Sequence, residues 1–490
     1  MHQPAQRDEG LSQVEPLLGG TAVGGAEHAT VPLWRPILAM LLVGNGAILF
    51  GFHLAIINGP LQRIADDVGA GEDPFLQGVI VSSLLAGGAA GSLGGSGLAD
   101  KFGRRWSCML ACAPLLLCSV LIAAARDLPT MTAGRLLGGV GVGLTSSVVP
   151  VYISEVAPTK LRGTFGTGNQ LLICLGNLGA VVLNALVPAE HWRWLMALSA
   201  VPALALLAGM GLVCPESPRW LMHHRRGEEA AAAAAWLWGA AAASELEGAA
   251  TGDDSPQAAF TELFQRPNRL VAMTAVMMFL LQQFAGINAL IYFSSTIFKQ
   301  AGVSSEGLAT AAIFTMNVAG TVLAAGLIER LGRKQLLMGS YAGMGAAMAL
   351  MAASMSVPQL KAVIAPAAVT GALGYMLAYA QGAGPVAMLL IPEIAPHRVR
   401  GRAVALAMTS HWVCNFMVGQ LFLPLVHAIT VGGAFAVFAA VCVAAVLYTA
   451  AFVTETKGKS LEEIEALMGY GILPSDPGRE QTPNSSVASA

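Results

Sequence analysis

Amide side chains and one tryptophan carry the most distinctive chemistry in this chain. Gln282, Gln283 and Asn288 stand close together, and related polar residues occur in other apolar stretches, namely Gln170, Asn317, Trp412 and Asn415. An amide donates and accepts hydrogen bonds without a net charge, as a sugar hydroxyl does. A tryptophan can cover an apolar sugar face while its indole N–H donates a bond. Each amide alone can equally join two helices, but together, among few carboxylates, they favour a neutral polyhydroxyl ligand.

The spacing of these amides requires a break in the element that carries them. Gln282 and Asn288 are six residues apart, so a straight helix would turn them towards different faces. Gly286 lies between them, and glycine adopts backbone angles that interrupt a helix. We therefore predict a broken helix whose two parts line one cavity.

The elements themselves must lie in a membrane. The chain has 490 residues, of which 55% are hydrophobic and only 11% charged, whereas soluble proteins carry about 25% charged residues. A spanning helix needs about 20 apolar residues, and twelve stretches reach that length. They are predicted near 36–57, 76–98, 106–125, 131–153, 165–187, 193–213, 269–293, 307–328, 335–356, 362–391, 402–424 and 429–452. The predicted fold is an all-α integral membrane protein with twelve spans.

Two sequence phrases occur twice, which indicates a duplicated design. Residues 97–105 and 326–334 share a Gly-x-x-acid-base-x-Gly-Arg-base pattern, and Glu155 and Glu393 each follow a proline in a similar phrase. Internal repeats of this kind are typical of transporters built from two halves. We predict the following organisation: an N-terminal tail at 1–33, a six-helix bundle at 34–213, a cytoplasmic helical linker at 214–268, a second six-helix bundle at 269–455, and a C-terminal helix and tail at 456–490.

Charged residues concentrate at one side of the predicted spans. Of the 27 Lys and Arg residues, 21 fall in the two tails and the even-numbered loops, which places these on the cytoplasmic side or its equivalent. Arginines there can bond carboxylates at neighbouring helix ends. Our hypothesis is a network that latches the two halves together; the alternative is that the loops only anchor topology. The predicted network contains Asp100, Arg104, Arg105, Arg135, Glu155, Arg162, Glu216, Arg219, Glu329, Arg333, Lys334, Glu393, Arg400 and Glu455.

Arg135 lies within the fourth predicted span, where a charge requires a partner. Glu155 or Glu216 could supply it. We interpret this arginine as a structural and gating residue that does not contact a ligand.

Several classes of protein are disfavoured by the same sequence. A net charge of -2 argues against nucleic-acid binding, and we find no plausible catalytic triad, metal site or cofactor motif. Seven scattered cysteines show no zinc or disulfide spacing, and we interpret them as small packing residues. The chain is therefore expected not to be an enzyme.

The repeated phrases, Pro215–Arg219, Gln282–Asn288 and Glu455–Gly458 resemble the sugar porter family of the major facilitator superfamily, over residues 36–468. Within it, residues 51–59, 81–86 and 382–385 resemble the glucose transporters of the plastid envelope. The resemblance implies two six-helix bundles with a hexose site between them, formed by Gln170, Gln282, Gln283, Asn288, Asn317, Trp412 and Asn415. It also implies gate positions at Tyr292 and Pro385. Met388 and Ala380 depart from the tryptophan and glutamate of animal glucose facilitators, which affects the wall of the pocket.

His53 bears on energy coupling. Proton-coupled members of this family have an aspartate where His53 stands, so we expect facilitated diffusion of hexose, with glucose first. An imidazole has an ordinary pKa of about 6.5, which leaves a proton-linked role for His53 open. Rival functions are a proton-coupled symporter of hexose, pentose, inositol or polyol, and a sugar receptor that does not transport. We expect a monomer in the plastid inner envelope, with plasma or vacuolar membrane as alternatives, and with sugar, lipid and protons as the possible partners.

Overall fold

A computed structural model describes residues 33–158, 161–239, 260–265, 268–357, 359, 363–396, 399–459 and 463–464. The side chains of Arg162, Gly163 and Glu329 are not among the described parts. The predicted N-terminal tail up to residue 32, much of the linker and nearly all of the C-terminal helix and tail lie outside the described residues.

Helices form nearly all of the described chain, and no strand occurs in these ranges. The first half contains the helices Trp34–Val43, Asn45–Ala55, Leu61–Asp67, Pro74–Phe102, Arg104–Ala124, Leu128–Val156, Arg162–Leu186, Trp192–Ala197 and Ala200–Ala208. Two linker helices follow, Pro218–His223 and Gly227–Trp238. The second half contains Arg269–Phe284, Ile287–Gln300, Glu306–Leu331, Arg333–Ser356, Ile364–Gln381, Ala383–Ile394 and Arg400–Phe452.

Twelve membrane spans result from these helices, numbered here in chain order. Eleven stretches of the described residues are long and apolar enough to cross a membrane, and the last runs from Arg400 to Phe452. That stretch turns at Thr430, whose φ of 68° and ψ of 166° are not helical, so it contains spans 11 and 12. The predicted number of spans is confirmed, and their boundaries differ from the predicted ones by a few residues.

Helix starts follow ordinary capping chemistry. Asp73 accepts hydrogen bonds from the backbone N–H groups of Phe75 and Leu76 at the start of span 2. Asp127 accepts one from Thr130 N–H at the start of span 4. In both cases a proline in the first turn removes one N–H group that would otherwise lack a partner. These caps fix where the chain re-enters the bundle.

Because consecutive spans run in opposite directions, the bundle has two distinct ends. The charged end carries the repeated loops at 100–105 and 330–334, and the opposite end carries the connections at 56–73 and 301–305. At the opposite end the two halves are bonded to each other: Ser82 Oγ donates to Gln420 Oε1 at 2.7 Å. Gln420 Nε2 donates to the carbonyl oxygen of Phe75 at 3.1 Å. The structure is therefore closed at the opposite end.

Candidate functional site

Span 7 is interrupted at the position that the amide spacing predicts. The helix Arg269–Phe284 ends just before Gly286, and the helix Ile287–Gln300 begins directly after it. Gly286 has a φ of 101°, which is left-handed and costs glycine little. A Cβ atom here would lie 2.6 Å from Phe438 Cδ2, so a larger residue would also lack space. The predicted break is confirmed.

This break brings three amides into one hydrogen-bonded group. Gln282 Nε2 donates to the carbonyl oxygen of Ala383 at 2.5 Å, across to span 10. Asn288 Nδ2 donates to Gln283 Oε1, and Gln283 Nε2 lies 3.4 Å from Gln282 Oε1. All three side chains are buried. Their mutual bonds fix the orientation of the amides at the centre of the bundle.

His411 joins the same group, although it was not among the predicted ligand-contacting residues. Its Nδ1 lies 2.5 Å from Gln283 Nε2, so span 11 is tied to span 7. Its ring also packs edge-on against Phe279. The sequence feature that could have identified His411 is its position directly before Trp412.

Trp412, Asn415 and Tyr292 form the next part of the site. Tyr292 donates its hydroxyl hydrogen to Asn415 Oδ1 at 2.7 Å, which joins span 7 to span 11. Trp412 is 1% exposed and packs edge-on against Phe50 of span 1, with ring centres 5.8 Å apart. Its indole Nε1 is buried and has no hydrogen-bond partner among the described residues. A donor in this state is available to a ligand.

Gln170 and Asn317 meet where span 5 faces span 8, through Cys174. Gln170 Nε2 lies 3.8 Å from Cys174 Sγ, and that sulfur lies 3.4 Å from Asn317 Oδ1. The contact between Cys174 and Asn317 crosses from the first half to the second. Asn317 and Trp412 thus contact the first half, Gln282, Gln283 and Asn288 lie on the broken span 7, Asn415 is bonded to that span, and Gln170 is joined to Asn317 through Cys174.

The gate and pocket-wall residues of span 10 follow a second break. Gly382, with φ of -141° and ψ of -72°, separates the helix Ile364–Gln381 from the helix Ala383–Ile394, which contains Pro385. Ala380 is buried, and a Cβ on Gly320 would lie 2.6 Å from its Cβ. Met388 is 44% exposed. A glutamate at position 380 would therefore have little room against span 8.

Arg135 does not belong to the charged end, and its predicted partners were wrong. It lies near the opposite end of span 4, twenty residues and about 30 Å along the helix from Glu155. Arg135 Nε donates to the carbonyl oxygen of Ile80 at 2.7 Å, and Nη2 lies 3.3 Å from that of Val81. Backbone carbonyls of span 2 thus replace the expected carboxylate.

His53 of span 1 is also buried. Its side chain is 2% exposed, and Nε2 has no hydrogen-bond partner among the described residues. Nη1 of the Arg135 guanidinium is likewise buried without a hydrogen-bond partner in the described part of the chain. Two basic side chains thus lie inside the bundle, each with a nitrogen that no described residue bonds.

At the charged end of the first half, Glu216 caps the helix of span 3. It accepts hydrogen bonds from the backbone N–H groups of Arg104 and Arg105 at 2.9 and 3.1 Å. Gly103, with a φ of 95°, leaves the space that this carboxylate fills, since a Cβ there would overlap Glu216. Burial raises the pKa of Glu216, and these N–H groups partly offset that rise. Arg104 Nε then donates to Glu155 at 3.0 Å.

The second half repeats this arrangement. Glu455 accepts from the backbone N–H groups of Arg333 and Lys334 at 2.9 and 3.0 Å, and Gly332 has a φ of 90°. Arg333 pairs with Glu393 at 3.0 Å, as Arg104 pairs with Glu155. The duplicated phrases therefore encode two equivalent capped loops.

The remaining members of the predicted network differ in their contacts. Asp100 is a mostly exposed partner of Arg104, Arg105 Nε donates to the carbonyl oxygen of Met210, and Arg219 is exposed. Lys334 Nζ donates to Ala450 O and Arg400 Nε to Ala395 O. The side chains of Arg162 and Glu329 are outside the described residues. The ion pairs Arg104–Asp100, Arg104–Glu155 and Arg333–Glu393 each join elements of one half, so these three pairs stabilise the halves individually.

A twelve-span bundle in two similar halves, with buried amides between them and one end closed, defines a secondary transporter of the major facilitator type. Residues 39–468 match the family model described as "Sugar (and other) transporter". The chain belongs to this sugar transporter family and is a transporter, not an enzyme.

Known relatives agree over most of the chain. It is 43% identical to plastidic glucose transporter 4 of Arabidopsis thaliana over 432 residues, which cover 87% of this chain and 79% of the relative. It is 33% identical to the glucose transporter GlcP of Staphylococcus epidermidis, with 87% and 96% covered. The inward-open xylose transporter XylE of E. coli superimposes with a TM-score of 0.75 at 28% identity, covering 88% of this chain and 99% of XylE.

Proposed function

We propose that this protein carries hexoses, glucose first among them, across a membrane by alternating access and without proton coupling. The observation that supports this most is the buried group of amides at the broken span 7, beside the unpartnered indole N–H of Trp412. The group offers donors and acceptors to a polyhydroxyl ligand and no carboxylate. Relatives named as glucose transporters favour glucose.

The proposed binding residues come from both halves. Gln170 approaches from span 5 of the first half, while Gln282, Gln283, Asn288, Asn317, Trp412 and Asn415 belong to the second half. A sugar bound by both groups would sit where the halves separate and close. Tyr292 and Pro385 are proposed as gates, because they lie on the broken spans 7 and 10 that border this site.

Alternating access requires contacts that close one end of the transporter while the other end is open. In this structure the bonds of Gln420 hold the opposite end closed, while Arg104–Glu155 and Arg333–Glu393 stay within their own halves. We propose that the structure is an inward-facing state, as its similarity to an inward-open transporter suggests. The predicted latch would then form between the two capped loops when the charged end closes.

Proton coupling is the second candidate, and one observation favours it. The buried His53 has an Nε2 without a hydrogen-bond partner among the described residues, and a similar solved structure is named as a proton:xylose symporter, at 28% identity. We favour uncoupled transport because no carboxylate contacts Arg135 among the described residues, so no buried ion pair could be broken by protonation there.

The membrane and the orientation are inferred from relatives and charge. Three further relatives from Arabidopsis thaliana are named as probable plastidic glucose transporters, and they support a plastid membrane, for which we propose the inner envelope. From the excess of Lys and Arg we infer that the charged end and both termini face the cytoplasmic side or its equivalent. We propose a monomer as the transporting unit.

Uptake by purified protein in proteoliposomes tests the substrate and the coupling. Radiolabelled glucose should equilibrate across the membrane, and an imposed proton gradient should leave the final level unchanged. Accumulation above equilibrium that a protonophore abolishes would instead establish symport. His53→Asn then separates the candidates, since an uncoupled carrier keeps its pH dependence in this variant. Glucose binding without uptake would indicate a receptor.

A further inference from the structure

A cavity of about 370 Å³ lies at the opposite end of the molecule, and none of the seven proposed sugar-binding residues lines it. The first half lines it with Asn58, Gly59 and Pro60 after span 1 and with the end of span 5 around Asn184. The second half lines it with Ser295 of span 7 and with the start of span 8 around Glu306. Its volume is within the range of about 300–1,000 Å³ typical of small-molecule sites.

Asn58 separates this cavity from the central amides. Its Nδ2 donates to Ser294 Oγ at 2.6 Å and to the carbonyl oxygen of Ile291 at 2.8 Å. Its Oδ1 accepts from the backbone N–H of Ser295 at 2.9 Å. The amide is thus fully used in closing the two halves together, and the cavity lies on its outer side. Asn288, one of the central amides, precedes Ser295 by seven residues, which is about 10 Å along the same helix.

The walls of the cavity suit a neutral ligand that carries hydroxyl groups. Asn184 Nδ2 donates to the carbonyl oxygen of Ile56 at 3.0 Å, but its Oδ1 is buried without a hydrogen-bond partner in the described part of the chain. Ser295 and Thr310 supply hydroxyls, which lie 3.3 Å apart, and Glu306 supplies a carboxylate. None of the lining residues is Lys, Arg or His. A hydroxyl donor satisfies Asn184 Oδ1, whereas an anion would meet Glu306.

We propose that this cavity is a second sugar site, which takes a neutral hexose from the solution at the opposite end. Because both halves line it, a bound sugar favours the conformation in which they are closed at this end. Transport requires that end to open, so sugar at high concentration there slows uptake. The effect on uptake rests on the proposed function, whereas the binding site itself does not.

Equilibrium binding of radiolabelled glucose to the full-length protein in nanodiscs tests the site. Wild-type protein should bind two glucose molecules, one more weakly. Asn184→Leu removes the unpartnered acceptor, and Ser304→Trp fills the cavity from an exposed loop that tolerates a large residue. Both should weaken the second site by about tenfold or more. Leu308→Trp is the matched control, because Leu308 is 70% exposed and lies outside the cavity.

Uptake into oriented proteoliposomes supplies the second readout. The initial rate from the opposite end should pass through a maximum as glucose rises, and both cavity variants should remove the decline. One glucose per wild-type protein with simple saturation of uptake would overturn the second site and leave the proposed function standing. A weak site that survives unchanged in both folded variants would also overturn it. Absence of uptake from protein that binds two glucose molecules would contradict the proposed function alone.

Discussion

The indole of Trp412 is a buried donor without an acceptor among the described residues, and such a group is unfavourable unless a ligand completes it. Its ring meets Phe50 of the first half, so it lies at the junction that must separate during transport. Its neighbour His411 fixes Gln283, while Tyr292 fixes Asn415. The polar groups around the ring are therefore held in place before a sugar arrives.

Replacing Trp412 by phenylalanine keeps an aromatic ring and removes only the N–H group. Loss of one hydrogen bond of about 0.5–1.5 kcal/mol should raise the dissociation constant of glucose by about 2–10-fold. Trp194→Phe is the control, since Trp194 is 76% exposed. Titration calorimetry measures the dissociation constant of glucose for each variant. A wild-type value in Trp412→Phe as well as in Trp194→Phe would contradict a hydrogen bond from the Trp412 indole to the sugar.

Asp67 shows how a carboxylate ties the opposite end of the first half together. It accepts hydrogen bonds from Trp192 Nε1 and Arg193 Nη1, each at 3.0 Å, and pairs with Arg63. The bond from Trp192, followed by those from the arginines, lowers the pKa of Asp67 below its ordinary value. A lowered pKa in the folded state gives stability above the unfolded pKa, and that stability is lost as the pH falls through the folded pKa.

Asp67→Asn should therefore lower the unfolding temperature at pH 7. The difference from wild type should shrink as the pH falls below the unfolded pKa of about 3.9 and through the lower pKa of the folded state. The neighbouring Asp66→Asn serves as the control, because the exposed carboxylate of Asp66 accepts a hydrogen bond from Gln62 on the same helix and contacts no arginine among the described residues. Differential scanning fluorimetry in detergent measures both; an unfolding difference independent of pH would contradict the argument.

At the scale of the element, span 7 was the most predictable feature. The six-residue spacing of Gln282 and Asn288, together with Gly286 between them, is enough to predict the break. The twelve spans could also be predicted, from hydropathy, because a lipid environment requires long apolar helices. The repeated loops were recognisable, and the four glutamates that contact them were predicted as partners of their arginines. What the sequence did not predict is that Glu216 and Glu455 accept hydrogen bonds from backbone N–H groups of the loops, because such capping depends on tertiary placement.

Gly286→Ala tests whether the break positions the amides. A side chain at a φ of 101° is strained by about 1–3 kcal/mol, and its Cβ would press against Phe438 and Met348. We expect glucose uptake to fall by about tenfold or more and the unfolding temperature to drop. Gly374→Ala should have little effect, because nothing lies within 4 Å of its added carbon. Normal uptake by the Gly286 variant would show that the amides do not depend on this break.

The hydrogen-bond partners of Arg135 could not be predicted from the sequence. Its position within a span was evident, yet its partners are carbonyl oxygens of span 2, which carry no sequence signal. Likewise, Asn58 and Gln420 each bond residues of the other half that are more than 200 positions away in the sequence. Such pairs become visible only once the packing of the spans is known.

For the whole molecule, closure at the opposite end depends on a few polar contacts between the halves. Asn58 makes three of these bonds and Gln420 makes two. Both side chains are buried, so each bond replaces water that would enter on opening. The energy of these bonds contributes to the balance between the two ends of the transport cycle.

Asn58→Ala should shift the population towards the state that is open at the opposite end. Spin labels at Glu72→Cys and Val357→Cys, on different halves, report this shift as a longer distance in pulsed electron resonance. The seven native cysteines are buried, which favours selective labelling. Asn45→Ala is the matched control, because the bonds of the Asn45 side chain to described residues go to Leu41 and Leu42 of its own half. An unchanged distance distribution would show that Asn58 does not hold this end closed.

Glucose counterflow tests most directly whether one central site serves both sides of the membrane. Proteoliposomes are loaded with unlabelled glucose and diluted into a trace of labelled glucose, without any ion gradient. An alternating-access carrier predicts a transient accumulation of label above its equilibrium level, unchanged by a protonophore and strongly reduced in Gly286→Ala. Protein that binds glucose yet shows no such overshoot would contradict the account, because its site would not be exposed to the two sides in turn.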